Sequence, residues 1–184
     1  MPSFTFFLQH LGLALRLTAT YPTLAPAEAL AHAREAMHAA AASEDISPEL
    51  LLAIAFVESR FDPTALSRVE GDQRRGGRWP YDVPPKRLTK GTSMFCGVLQ
   101  TRALTWQQCL KQRDLHYAYR RAVRELESWL HDRRVRGDIT RALAGYACGN
   151  RGVKTGKCNR YPGRVLWQAR RLERAKPMTV ADRI

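Results

Sequence analysis

The chain has 184 residues, enough for one domain with a proper core, and 45% of them are hydrophobic, which excludes a disordered chain. No run reaches the roughly eighteen apolar residues of a conventional membrane span. Thirty Lys and Arg against 17 Asp and Glu give a formal net charge of +13, a surface that attracts polyanions. The charge is uneven: residues 1 to 60 carry three basic and six acidic side chains, and the rest carry 27 and 11. No nucleic-acid motif accompanies the basic part, so no nucleic-acid partner is expected. Cell-wall polymers and anionic membrane surfaces stay open.

Residues 1 to 20, MPSFTFFLQHLGLALRLTAT, are apolar but interrupted by Gln9, His10 and Arg16. No basic residue precedes the apolar run, so the positive region of a signal peptide is missing, yet Ala25-Pro26-Ala27 resembles a cleavage site. Segment 1–25 is therefore either a signal peptide or an amphipathic helix packed on the domain. The domain is placed at 26–176, with a tail at 177–184.

Residues 26 to 42 read as an alanine-rich helix, with Pro26 in its first turn and Glu28 near its N-terminus. His32 and His38 are not at metal spacing and are expected on the surface. Ser43 to Ile46 link into the next helix, SPELLLAIAFVESRFDP. Ser47 suits the N-cap, Pro48 the first helical position and Glu49 the positive end of the helix dipole. Leu50, Leu51, Ile54, Ala55 and Val57 recur at helical spacing, and Pro63 marks the stop. Glu58 comes four residues after Ile54 and seven after Leu51, so it lies on the apolar side. Burial there raises a carboxyl pKa, which suits a general acid at neutral pH. The other reading is a Glu that turns to solvent or pairs with an arginine.

Residues 68 to 95 are polar and rich in Gly and Pro, and read as loop. They carry Trp79 and Tyr81 among arginines, together with Glu70, Asp72 and Asp82. Such a loop either lines a sugar-binding groove or covers the surface with Trp79 as its anchor. GVLQT, residues 97 to 101, supplies a tight turn at Gly97; Thr101 then caps a helix through about Lys111, with Leu104 and Leu110 inward. Asp114 caps a helix with Leu115, Ala118, Ala122, Leu126 and Trp129 as its stripe, and Gly137 breaks it. Glu125 and Glu127 sit among arginines and read as exposed ion pairs. Asp138 caps DITRALAGYACG, in which Ile139, Ala142, Leu143 and Tyr146 share a face and Gly149 is the stop. Residues 150 to 160 read as a basic loop, followed by a last helix from about Pro162 to Ala175.

The four cysteines, Cys96, Cys109, Cys148 and Cys158, form no close pair, and no His stands at zinc-ligand spacing, so no metal site is expected. An even count fits two disulfides in an oxidising compartment. Of the three possible pairings, the local one, Cys96–Cys109 with Cys148–Cys158, is favoured over the other two, and four buried free thiols are the other reading.

Four segments carry a resemblance. Glu58-Ser59 with Asp62-Pro63 and Ser67 resembles the catalytic helix of soluble lytic transglycosylases, the peptidoglycan-cleaving relatives of goose-type lysozyme. GVLQT, ALAGYACG (142–149) and YPGRVL (161–166) resemble later motifs of that family, in its order. The resemblance implies an all-α, lysozyme-like single domain with a long loop insertion at 68–95. It implies cleavage of the bond between N-acetylmuramic acid and N-acetylglucosamine with 1,6-anhydro ring closure, Glu58 acting as acid and then base. Ser67 would bond Glu58 or the N-acetyl group; Gln100 and Tyr146 would orient the sugar, the Tyr146 hydroxyl facing Glu58. Neither metal nor cofactor is implied. The partner implied is the peptidoglycan glycan strand, in a periplasmic or cell-wall compartment reached by signal peptide or phage-type delivery. A phage particle or an envelope-spanning secretion machine is the associated assembly to expect. The chain departs from the family at Met94 and Ala147, where Gly and Asn are usual, and in the length of 68–95. Two alternatives stay open. One is a hydrolytic lysozyme using Glu70, Asp72 or Asp82 as its second carboxylate. The other is an inactive module that binds wall polymer or DNA.

Overall fold

A computed structural model describes residues 4–66, 94–156, 158 and 160–175. Three helices come first: α1 (Phe4–Thr20), α2 (Pro26–Ala40) and α3 (Pro48–Ser59). Two short strands, β1 (Met94–Cys96) and β2 (Thr101–Ala103), follow, and then α4 (Trp106–Lys111), α5 (Leu115–Leu130), α6 (Ile139–Thr155) and α7 (Tyr161–Arg174). The architecture is the mostly helical, lysozyme-like one, with a small antiparallel sheet paired Met94 to Ala103 and Cys96 to Thr101.

Side-chain caps start the interior helices. The Ser47 hydroxyl accepts the Leu50 N–H at 3.2 Å, the Asp114 carboxylate accepts that of Tyr117 at 2.9 Å, and Asp138 accepts those of Thr140 and Arg141 at 2.8 and 3.2 Å. Each satisfies donors that the first helical turn leaves without partners.

Helix α3 is the core. Leu51, Leu52, Ala53, Ile54 and Ala55 are all 0% exposed, as expected for a helix that is hydrophobic all round. It packs on α7, α2 and α5. Alanines of α2 (Ala29, Ala33, Ala36) are fully buried and let α1 and α3 approach closely. Leu13, Ala14 and Leu17 of α1 join the same core.

The Gly97 turn joins the two strands. Gly97 takes a φ of 73° and its N–H donates to the Ala65 carbonyl at 2.9 Å. A Cβ there would collide with the backbone and side chain of Gln112, so glycine is required both for conformation and for space. The Cys96–Cys109 disulfide ties β1 to α4, and Cys148–Cys158 ties α6 to the segment before α7. Helix α6 breaks at Gly149 and continues to Thr155. The continuation packs back on the first part because Gly152 lies against the Ala144 carbonyl, where any Cβ would clash.

Several local expectations give way. Thr101 lies in β2 and does not cap α4; the cap is Thr105, whose hydroxyl accepts the Gln108 N–H at 3.2 Å. Leu104 and Leu110 are exposed, because the pairing of β1 with β2 turns this segment the other way. His32 is buried, not on the surface: its Nδ1 lies 3.0 Å from the Tyr119 hydroxyl, and burial lowers its pKa to about 4, so it is neutral. Residues 150–155 are helical, not loop. Helix α3 ends at Ser59, short of Pro63, because Arg60 takes a left-handed conformation (φ 58°). Ser67 and the insertion residues Glu70, Asp72, Trp79, Tyr81 and Asp82 lie outside the described residues.

Candidate active site

The C-terminal end of α3 sets the site. Leu51 and Ile54 fill the core, and Glu58 follows them on the same side of the helix, half-buried where the core opens. Two consecutive non-glycine residues, Arg60 (φ 58°) and Phe61 (φ 67°), then turn the chain sharply. That conformation costs on the order of 1 kcal/mol per residue. Burial of the Phe61 ring against Tyr21, Phe56 and His32 offsets it. The neighbouring Ser59 hydroxyl donates to the Val98 carbonyl at 2.8 Å and fastens α3 to the 97–100 turn.

Glu58 faces a cavity of about 320 Å³. Gln100 enters it from the turn, Tyr146 from α6, and Tyr161 and Arg164 from α7, while Cys148 and Cys158 form part of the wall. Among the described residues that line it, Glu58 is the carboxylate.

The electrostatics of Glu58 follow from its burial at this wall. Burial pushes its pKa up to about 7. The Tyr161 hydroxyl and then the Arg164 guanidinium oppose that rise, and the charge of Glu125 adds to it. The Tyr161 hydroxyl faces the Glu58 carboxyl but has no hydrogen bond of regular geometry. Burial, then the negative charge of Glu58, holds the Tyr161 phenol well above its ordinary value, so it stays protonated and able to donate. A carboxyl that titrates near neutrality can give a proton and take one back within a single reaction.

The structure gathers Glu58, Gln100 and Tyr146 around one cavity. Gln100 sits at φ 47°, and its amide N–H group donates to the Ala65 and Gly97 carbonyls at 2.9 and 2.8 Å. Its side-chain N–H donors are therefore engaged by backbone, which fixes the residue's orientation. The Tyr146 hydroxyl donates to the Leu99 carbonyl at 2.7 Å. Its proton is committed to the backbone, and the tyrosine contributes its buried body to the wall.

Three site residues had no role in the sequence reading. Tyr161 opens the YPGRVL segment, and Arg164 follows three residues later, one helical turn on. Glu125 was expected as an exposed ion pair and is not one. One of its carboxyl oxygens is wholly enclosed with no hydrogen-bond partner among the described residues. Burial raises its pKa, against the Arg121 charge and the backbone N–H of Arg102. The signal was present in its spacing: Glu125 stands seven residues after Ala118 and three after Ala122, on the stripe that α5 buries. Among the described residues no group of three or more His, Cys, Asp or Glu is arranged to hold a metal ion.

A family model described as the transglycosylase SLT domain matches residues 35–163. That span contains Glu58, the 97–100 turn, Tyr146 and Tyr161. No match is found among curated proteins or among solved structures.

Proposed function

We propose that this chain, which belongs to the transglycosylase SLT domain family, cuts the β-1,4 bond between N-acetylmuramic acid and N-acetylglucosamine with Glu58 as acid and then base. The family supports a lytic transglycosylase-type action on peptidoglycan, a substrate consistent with a periplasmic or cell-wall compartment. The observation that carries the finer reading is one carboxyl at the wall of an open cleft, its pKa raised to about 7 by burial.

Glycosidases ordinarily use two carboxyl groups; the reaction proposed here uses one twice. Protonated Glu58 gives its proton to the glycosidic oxygen as the bond to the anomeric carbon breaks. The muramic N-acetyl oxygen supports the positive charge that develops at that carbon. Glu58, now a carboxylate, takes the proton of the muramic 6-hydroxyl, whose oxygen closes on the anomeric carbon and yields the 1,6-anhydro sugar. Proton and oxygen balance without added water, and Glu58 ends protonated. Tyr161 donates toward the carboxylate between the two steps, and Arg164 lowers the cost of that charge. Gln100 and the ring of Tyr146 shape the sugar site.

The test is mass spectrometry of soluble fragments from purified peptidoglycan treated with wild type and with Glu58→Gln. Anhydro-muropeptides from wild type alone are the expected result. Equal release by Glu58→Gln would remove the role of Glu58, and hydrated reducing ends would replace the reaction with hydrolysis.

A further inference from the structure

Beyond Arg164, which lines the Glu58 cavity, one face of α7 carries a basic stripe that the proposed reaction does not use. Arg160, Arg164, Trp167 and Arg171 recur at spacings of four, three and four residues, so they line one side of the helix. Trp167 is 59% exposed, unusual for so large an apolar ring. Arg170 and Arg174 flank it, also exposed. None of these five arginines forms an ion pair with another described residue.

The stripe is built and not merely exposed. The Arg171 guanidinium lies 5.6 Å from the centre of the Trp167 ring and 5.9 Å from that of Tyr21. Two aromatic faces thus hold the cation in place and leave its N–H edges to accept an anion. A cleft of about 500 Å³, floored by Phe56 and Val57 of α3, runs under Arg160, Arg164 and Trp167. A second cleft of about 540 Å³ runs on past Trp167 to Arg170, Arg171 and Arg174. Arg164 lines both the first of these clefts and the Glu58 cavity, and Trp167 lines both clefts, so the three adjoin one another along α7.

We infer that this track binds the acidic peptide stem of the peptidoglycan strand being cut. The assignment rests on the reading of the Glu58 cavity as the place where the glycan lies. The sugars of the strand carry no charge once the lactyl group is joined to peptide, so the arginines have no counterpart in the glycan. The free carboxylates nearest the cut bond belong to the stem. Its length also fits. From Arg164 to Arg174 the helix rises about 15 Å, and an extended stem of about four or five residues spans about 13–18 Å. Carboxylates meet the arginine forks along that path, and the apolar parts of the stem pack on Trp167.

The test is calorimetric titration of the full chain with two soluble probes, a muramyl disaccharide bearing a tetrapeptide and the same disaccharide without peptide, its lactyl carboxyl capped as the methylamide so that the control carries no charge. Neither contains the bond that is cut, so binding is read without turnover. Wild type should bind the peptide-bearing probe roughly tenfold more tightly, the sum of a few exposed charge pairs and one ring contact. The advantage should shrink as salt rises. Arg171→Glu with Arg174→Glu should bind the two probes alike, whereas Arg171→Lys should keep part of the preference. Equal affinity of wild type for both probes overturns the assignment, as does a preference that survives the double charge reversal. Stripe-dependent capture of anionic lipid vesicles or polyphosphate without peptide preference would overturn it too, in favour of another polyanion. If fragments fail to appear from peptidoglycan while this preference holds, the reading of Glu58 falls and the stem site stands.

Discussion

The Ser59 hydroxyl donates to the Val98 carbonyl at 2.8 Å, and this one bond joins the helix that presents Glu58 to the turn that presents Gln100. Val98 is fully buried, so its carbonyl has no water to turn to. Ser59→Ala should cost about 1–2 kcal/mol and lower Tm by roughly 2–6 °C. Muropeptide release, measured well below that Tm, should fall by roughly tenfold, because misplacement of the groups around the sugar is costly. A lowered Tm with unchanged release would mean that the turn keeps its place without the bond.

The rate of release should depend on pH through Glu58. In the proposed reaction the first step needs the protonated carboxyl, so the rate should fall as pH rises through about 7. The Tyr161 hydroxyl favours the charged form. Tyr161→Phe therefore leaves burial less opposed and should move this alkaline limb to higher pH. Initial rates from pH 5 to 9 for both proteins measure it. A limb that stays in place would show that Tyr161 does not act on the carboxyl.

Glu58 should also weaken the fold at alkaline pH. Its ordinary pKa is 4.5 and its folded value about 7, so the folded chain holds the proton more tightly than the unfolded one. The penalty is absent below pH 4.5, grows from 4.5 to 7 and is complete above 7. Glu58→Gln removes it and should gain up to about 3 kcal/mol at pH 8, with no gain at pH 4. Urea unfolding at the two pH values tests this, and a variant less stable at pH 8 would contradict it.

The Cys148–Cys158 bond should matter for activity as well as stability. Both cysteines line the Glu58 cavity, and the Cys158 carbonyl accepts the Tyr161 N–H at 2.6 Å. Replacing both by Ser should cost about 2–3 kcal/mol and reduce release, since the chain before Tyr161 loses its anchor. Full activity in the double variant would show that packing of α7 alone positions Tyr161.

Much of the scaffold was legible one residue at a time. Ser47, Asp114 and Asp138 cap the helices they were expected to cap, and Gly97 and Gly149 stand where the backbone takes positive φ. The two local cysteine pairings are the ones that form. Glu58 was conspicuous because a carboxylate on an apolar stripe is a local anomaly. Thr101 and Thr105 were not separable in this way. Both can cap a helix, and the choice was made by β1 pairing with Thr101.

Caps, hydrophobic spacing and positive-φ glycines act within a turn or two of chain, so the sequence by itself determined most of the helices and the place of Glu58 at the end of α3. Burial of a polar group is a sum over segments far apart in the chain. That His32 is neutral beneath Tyr119, that Glu125 is enclosed behind Tyr146 and that Tyr161 faces Glu58 were decided only when α2, α5, α6 and α7 closed on α3. Desolvation and through-space charge depend on that closure and have no counterpart in local sequence.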